Sequence, residues 1–221
     1  MLQAGLRGDV GREPRRLAGL RRPLLPLEAV DLGDAIGHRA AGYGAAVILL
    51  VAATRGELGH AGLVCGVGPV EAAARTAAAL AEGRPSAVLH VGIAGRRTFT
   101  EPELVIGSEA IYCDAVDPKW IELSIEPDQR LLAAARRALP EARVEPIGTS
   151  ARLDGSDRCE VEAMEGYAVL RAAALAGVPA LEVRAVSNAI REQDRSLWRI
   201  DEAKRLLAEA VPRLLAELER A

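Results

Sequence analysis

The sequence predicts an α/β fold, a sheet with helices between its strands, on three observations. All-apolar runs of strand length recur along the chain. Between them lie helical segments with proline or acidic starts and glycine or proline stops. Several strands run straight into glycine turns, the place where α/β sheets bind ligands.

Taken in order, Ala45–Thr54 (AAVILLVAAT) is apolar throughout, as expected of a strand covered on both faces. His60–Pro69 (HAGLVCGVGP) reads as a second strand ending in a glycine turn. Pro69 suits the first turn of the helix that follows, and Gly83 suits its end. Ser86–Gly95 (SAVLHVGIAG) is a third strand entering another glycine turn. Leu104–Cys113 gives one or two shorter strands.

Asp128–Leu139 is an amphipathic helix stopped by Pro140, and Ala142–Gly148 begins the next strand. A helix over about 164–176, a strand over 180–187 and an amphipathic C-terminal helix from about Asp201 complete the pattern. Residues 1–44 are rich in Arg, Gly and Pro and offer no strand. They are expected to form a divergent or partly disordered N-terminal segment before a single domain over 45–221.

Composition narrows the function classes. A net charge of -3 gives no electrostatic reason to expect nucleic acid or an anionic membrane as partner. No apolar run approaches the roughly 20 residues of a membrane span. No apolar segment follows the N-terminal charges, so a secretory signal is not expected. The three cysteines, Cys65, Cys113 and Cys159, lack the spacing of a metal site or a disulfide framework. These features predict a soluble, cytoplasmic protein. Aromatics are only 3% of the chain, so the few that occur, such as Trp198, are each informative.

Polar residues stand where the pattern calls for apolar ones. Met164 and Glu165 open a helix, and Ser187 and Asn188 close a buried strand. Taken singly, Glu165 could favour a helix dipole and Asn188 could make a turn. Glycines at 66–68 and 92–95 allow positive φ or close approach of a ligand, but neither stretch matches a phosphate-loop or dinucleotide fingerprint.

In combination, "CGVGPVEAAARTA", "LHVGIAG" and "VEAMEG…GVPALEVRAVSN" resemble the purine nucleoside phosphorylase/nucleosidase superfamily over about residues 47–220. Within it, the helix start "VE-x-MEG" and the tail "SN…DR-x-x-W" resemble the futalosine hydrolases. The resemblance implies a three-layer α/β/α sandwich with a mixed central sheet. It also implies a homo-oligomer acting on a small-molecule nucleoside, with no metal and no organic cofactor.

By the same resemblance, Glu165 accepts hydrogen bonds from the ribose hydroxyls and Met164 packs on the sugar face. Gly92, Ala94 and Gly95 lie beside sugar and base, and Ser187 belongs to the substrate-binding set. Asn188 stands where adenine-releasing relatives carry an Asp that protonates N7. An amide cannot deliver a proton but can pair with N7 and a 6-oxo group, which favours hypoxanthine over adenine. Futalosine carries a carboxyphenyl ketone beyond C5′. Trp198 could stack on its ring, and Arg195 or Arg191 could meet its carboxylate.

Two candidates stand for the water-activating base. Glu57, in "AATRGE", follows the first strand in the family manner. Glu13 is the alternative if 45–65 corresponds to the family's second and third strands. The loop over 148–161 is shorter than in relatives and has no aromatic to stack on the purine, which leaves Leu153. The readings that compete with futalosine hydrolysis are a methylthioadenosine/adenosylhomocysteine-type nucleosidase and a nucleoside-binding homologue without catalysis.

Overall fold

The computed structural model describes residues 47–115 and 119–221. The segment 1–44, and with it Glu13, lies outside the described residues. Eight strands form one mixed sheet: β1 (Ile48–Ala52), β2 (Leu63–Val64), β3 (Ala87–Arg96), β4 (Leu104–Tyr112), β5 (Ser124–Ile125), β6 (Arg143–Thr149), β7 (Val161–Ala163) and β8 (Ala180–Ala189). The helices are α1 (Arg55–Leu58), α2 (Pro69–Glu82), α3 (Gln129–Ala138), α4 (Gly166–Leu175) and α5 (Ile200–Leu218), with a 3-10 turn at Arg195–Leu197.

Alternate residues of β1 face opposite layers, which is why its sequence is apolar throughout. Leu50 and Ala52 pack with Leu131, Ala134 and Ala135 of α3 and with Leu207, Ala210 and Leu214 of α5. Leu49 and Val51 pack with Ala72 and Ala79 of α2 and with Val169, Leu170 and Ala173 of α4. Three layers follow, helices on both sides of the sheet.

The helix ends obey local rules. Pro69 opens α2, where a missing N–H costs nothing, and Gly68 precedes it at φ 91°. Asp128 caps α3 by accepting from the backbone N–H of Arg130 at 2.9 Å and of Leu131 at 3.2 Å.

The predicted second strand shrinks to Leu63–Val64, because Gly66 and Gly68 turn the chain at positive φ. The stretch expected to hold one or two shorter strands forms a single strand, Leu104–Tyr112. Three short elements were invisible in the periodicity: β5, β7 and α1, of two, three and four residues.

The pairing closes on itself. β3 pairs with β8, β8 with β4, β4 with β6, β6 with β7, and β7 returns to β3. Ala94, Val105, Ile147, Val161, Ala163 and Val186, drawn from all five strands, fill the ring. Between β3 and β8 the register jumps from Ala94–Val186 to Gly95–Asn188. Ser187 is therefore an extra residue, a bulge that re-aims the strand end at the carboxyl edge of the sheet.

Candidate active site

A cavity of about 300 Å³ opens at that edge, within the size range of small-molecule sites. Glu57 enters it from α1. Both its oxygens are anchored: Thr54 Oγ1 donates to Oε2 at 2.6 Å, and the backbone N–H of Ile93 donates to Oε1 at 3.0 Å. The carboxylate is thus oriented, with only 8% of the residue exposed.

Glu165 precedes α4 but its side chain does not cap the helix. Its Oε1 instead accepts from the backbone N–H of Gly68 at 3.0 Å, in the turn before α2. Burial pushes this carboxyl above its usual range, and the Arg184 guanidinium opposes that shift. Arg184 Nη1 lies 3.6 Å from Glu165 Oε2.

Arg184 is fully buried on β8, facing the layer of α2 and α4. Its Nε donates to Glu182 Oε1 at 2.7 Å, and its Nη2 bonds His90 Nε2 on the neighbouring strand β3. Arg184 can only donate, so His90 Nε2 must accept and the ring is neutral. Burial, and then the adjacent guanidinium, hold the His90 pKa well below its usual value. Three carboxylates (Glu57, Glu165, Glu182) therefore surround one cation behind the cavity wall.

Two glycines make room for this group. A Cβ on Gly92 would lie 2.3 Å from Arg184 Nη1 and 3.0 Å from Glu57 Oε1. A Cβ on Gly166 would lie 2.2 Å from the Glu182 carboxylate. The Gly of "VEAMEG" is thus explained by an acid sixteen residues later in the chain.

At the other end of the cavity, Asn188 Oδ1 accepts from Ser187 Oγ at 2.7 Å, and Nδ2 donates to the Ala189 carbonyl at 2.9 Å. An amide nitrogen carries two hydrogens, so one N–H of Asn188 remains for a ligand. Leu153 lines the cavity from the loop before β7. Glu162 shapes that loop by accepting from the backbone N–H of Ser156 at 2.6 Å, while Asp154 sits in the left-handed region at φ 55°.

Of the residues expected to form the site, Glu57, Ala94, Gly95, Met164, Glu165, Asn188 and Trp198 line this one cavity. Three do not. Gly92 contacts the charged group behind the wall, because a side chain there would collide with it. Ser187 is fully enclosed and holds Asn188 instead of a substrate. Arg195 stacks its guanidinium over the Trp198 ring at 5.4 Å, outside the lining, and Arg191 pairs with Asp154 at 3.5 Å.

Sequence reasoning missed Arg184, Glu182, His90 and Lys204. For the first two a signal existed. Charges at alternate positions of an otherwise apolar strand share one buried face and need partners there.

Comparison with known proteins agrees with the α/β fold. Residues 50–220 match the family model described as the phosphorylase superfamily. A futalosine hydrolase from Streptomyces coelicolor is 36% identical over 189 residues, covering 71% of this chain and 79% of that protein. A futalosine hydrolase from Thermus thermophilus is 49% identical over 57 residues, about a quarter of each chain. Among solved structures, the S-adenosylhomocysteine nucleosidase of Streptococcus pyogenes superposes with a TM-score of 0.71 at 20% identity, over 80% of this chain and 99% of that one. A futalosine hydrolase mutant of Helicobacter pylori gives 0.69 at 16% identity, over 77% and 99%.

Proposed function

The chain belongs to the phosphorylase superfamily, and from that premise we propose that it is a nucleosidase hydrolysing the N-glycosidic bond of futalosine to release hypoxanthine. The observation that carries this reading is the convergence of Glu57, Met164–Glu165 and Asn188 on one cavity. The Streptomyces relative supports the choice of futalosine within the nucleosidases.

Cleavage passes through a ribosyl cation-like state, as in glycoside hydrolysis generally. Glu165, buried in the wall, accepts from the ribose hydroxyls in its ionised form, and the Met164 thioether packs on the sugar. Glu57 takes a proton from the attacking water, whose oxygen bonds C1′. The C1′–N9 electron pair passes into the purine, which Asn188 steadies with its spare N–H. The departing base takes its proton from solvent, because an amide has none to give.

An Asn at this position fits a 6-oxopurine, which favours release of hypoxanthine over adenine. The product, futalosine without its base, belongs to an alternative route to menaquinone. We read the protein as a cytoplasmic homo-oligomer. No helix among the described residues is long and apolar enough to cross a membrane. Val67 and Val70, at 57% and 80% exposure near the cavity mouth, are apolar surface that a second copy would cover.

The test is incubation with futalosine, methylthioadenosine and inosine, with and without phosphate, followed by assay of free base. Hypoxanthine from futalosine, independent of phosphate, is the expected result. Adenine from methylthioadenosine as the main product would replace this reading with the adenine-type one. Ligand binding without base release would replace it with a non-catalytic one.

A further inference from the structure

A second group of reactive side chains lies outside the cavity lining. Cys113 directly follows β4, Cys159 stands two residues before β7, and neither is in a disulfide. Gly148 of β6 makes room for the group: a Cβ there would stand 2.5 Å from Ser156 Oγ and 3.0 Å from Cys113 Sγ. The loop 150–158 thus folds back over bare backbone and sets Ser156 against the Cys113 thiol. At the loop's exit, the Cys159 thiol meets that of Cys113 in a hydrogen bond.

Both backbones are held, so the thiols stay together. The Cys113 N–H donates to the Thr149 carbonyl at 2.9 Å, and the Cys159 carbonyl accepts from Arg97 Nε at 2.9 Å. Cys113 is half-buried, whereas Cys159 is enclosed. Hydrogen bonding between the two holds the Cys113 thiol below its usual value and Cys159 above its own. One sulfur is reachable and forms a thiolate, and the other is a shielded thiol beside it. That is the arrangement of an attacking and a resolving cysteine. Cys65 offers the contrast: it is fully enclosed, and burial pushes its thiol up to about 12.

We propose that Cys113 and Cys159 form a redox modification site, which a hydroperoxide converts reversibly into a disulfide across the base of the loop 150–158. The Cys113 sulfur attacks one peroxide oxygen. The O–O bond breaks, and the alkoxide or hydroxide leaves with the proton that Cys113 released. The Cys159 sulfur then attacks the sulfenic sulfur of Cys113. The S–S bond forms, the S–O bond breaks, and hydroxide departs as water with the Cys159 proton. Two thiols lose two electrons together, and the peroxide is reduced to an alcohol, or water, plus water. A dithiol restores both cysteines by thiol–disulfide exchange.

The site reaches the cavity through the loop. Asp114, next to Cys113, holds the loop's entry: Oδ1 accepts from Ser150 Oγ at 2.7 Å, and Oδ2 accepts from the backbone N–H of Ala151 at 2.7 Å. The disulfide fastens the exit to the adjacent residue. Both ends of the segment that carries Leu153 into the cavity are then fixed at one point. A loop closed in this way opens less readily for ligand entry and product release.

The experiment treats the reduced protein with hydrogen peroxide, unfolds it, alkylates the remaining thiols and maps its peptides without reductant. A cross-linked peptide pair joining Cys113 to Cys159, lighter by two hydrogens, should appear and should vanish with dithiothreitol, while Cys65 is alkylated. In Cys159→Ser, peroxide should leave a sulfenic acid at Cys113 that dimedone captures. Base release from futalosine should slow about fivefold or more in the oxidised wild type and recover with dithiothreitol, with no recoverable loss in Cys113→Ser. Dithiothreitol does not reduce methionine sulfoxide, so damage at Met164 is read separately. Thiols that both stay alkylatable, or disulfides through Cys65 or between chains in their place, would overturn the site. Full activity of the cross-linked protein would overturn its link to the cavity. The peptide map needs no turnover, so it judges the cysteine pair even if futalosine is not cleaved.

Discussion

The Ser187 hydroxyl donates to Asn188 Oδ1 at 2.7 Å, and the Asn188 amide nitrogen donates to the Ala189 carbonyl at 2.9 Å. Ser187 can do this because it is the bulged residue of β8, left over where Ala94–Val186 gives way to Gly95–Asn188. The strand thus ends with its amide locked in one orientation and one N–H unspent.

That geometry predicts the effect of changing the amide. Asn188→Asp replaces a donor with a carboxylate facing the 6-oxo group, and kcat/KM for hypoxanthine release should fall about 100-fold or more. Ser187→Ala frees the amide to rotate and should cost about tenfold, since one neutral hydrogen bond is lost. Free-base assay on futalosine measures both. Unchanged turnover of the Asp variant would remove the argument for 6-oxopurine selectivity.

Glu57 and Gly92 are coupled through space. Glu57→Ala should lower turnover by about 10²–10⁴-fold, the usual contribution of a positioned acid–base group. A silent Glu57→Ala would move that role elsewhere, Glu13 being the other candidate. Gly92→Ala adds a methyl 3.0 Å from Glu57 Oε1 and 2.3 Å from Arg184 Nη1. Overpacking there should destabilise the fold by about 1–3 kcal/mol and lower kcat as well, because the displaced group is the proposed base. Thermal unfolding and steady-state kinetics on the same preparation separate the two effects.

The pH profile should carry the mark of Glu165. Burial raises its carboxyl above the ordinary value of 4.5, and only the ionised form accepts ribose hydroxyls. The acid limb of kcat/KM should therefore lie above pH 4.5. A raised folded pKa contributes stability below 4.5 that is lost as pH rises through the folded value. Relative to Glu165→Gln, the wild type should be less stable at pH 8 than at pH 4.5, while the Gln variant loses most of its activity. Calorimetric unfolding at the two pH values checks the sign. A stability difference that does not change with pH would refute it.

Some of the site was legible from local pattern. The all-apolar β1 and the Pro69 helix start follow from burial on two faces and from backbone groups at helix ends. The family-like segments also brought Glu57, Met164, Glu165 and Asn188 forward, and the structure gathers them around one cavity. Other assignments shifted. Gly92 and Ser187 were expected to touch substrate, but each supports a catalytic candidate from behind. Arg195 is spent on Trp198.

The sequence by itself determined where the longer strands and helices run, because hydrophobic period and end chemistry act within a few residues. Only the tertiary structure decided the closed ring of β3, β8, β4, β6 and β7, and the charges enclosed behind the cavity. His90 and Arg184 are 94 positions apart, and Gly68 and Glu165 are 97. Whether a buried charge is satisfied depends on what the fold sets against it, and chain order carries no measure of that distance.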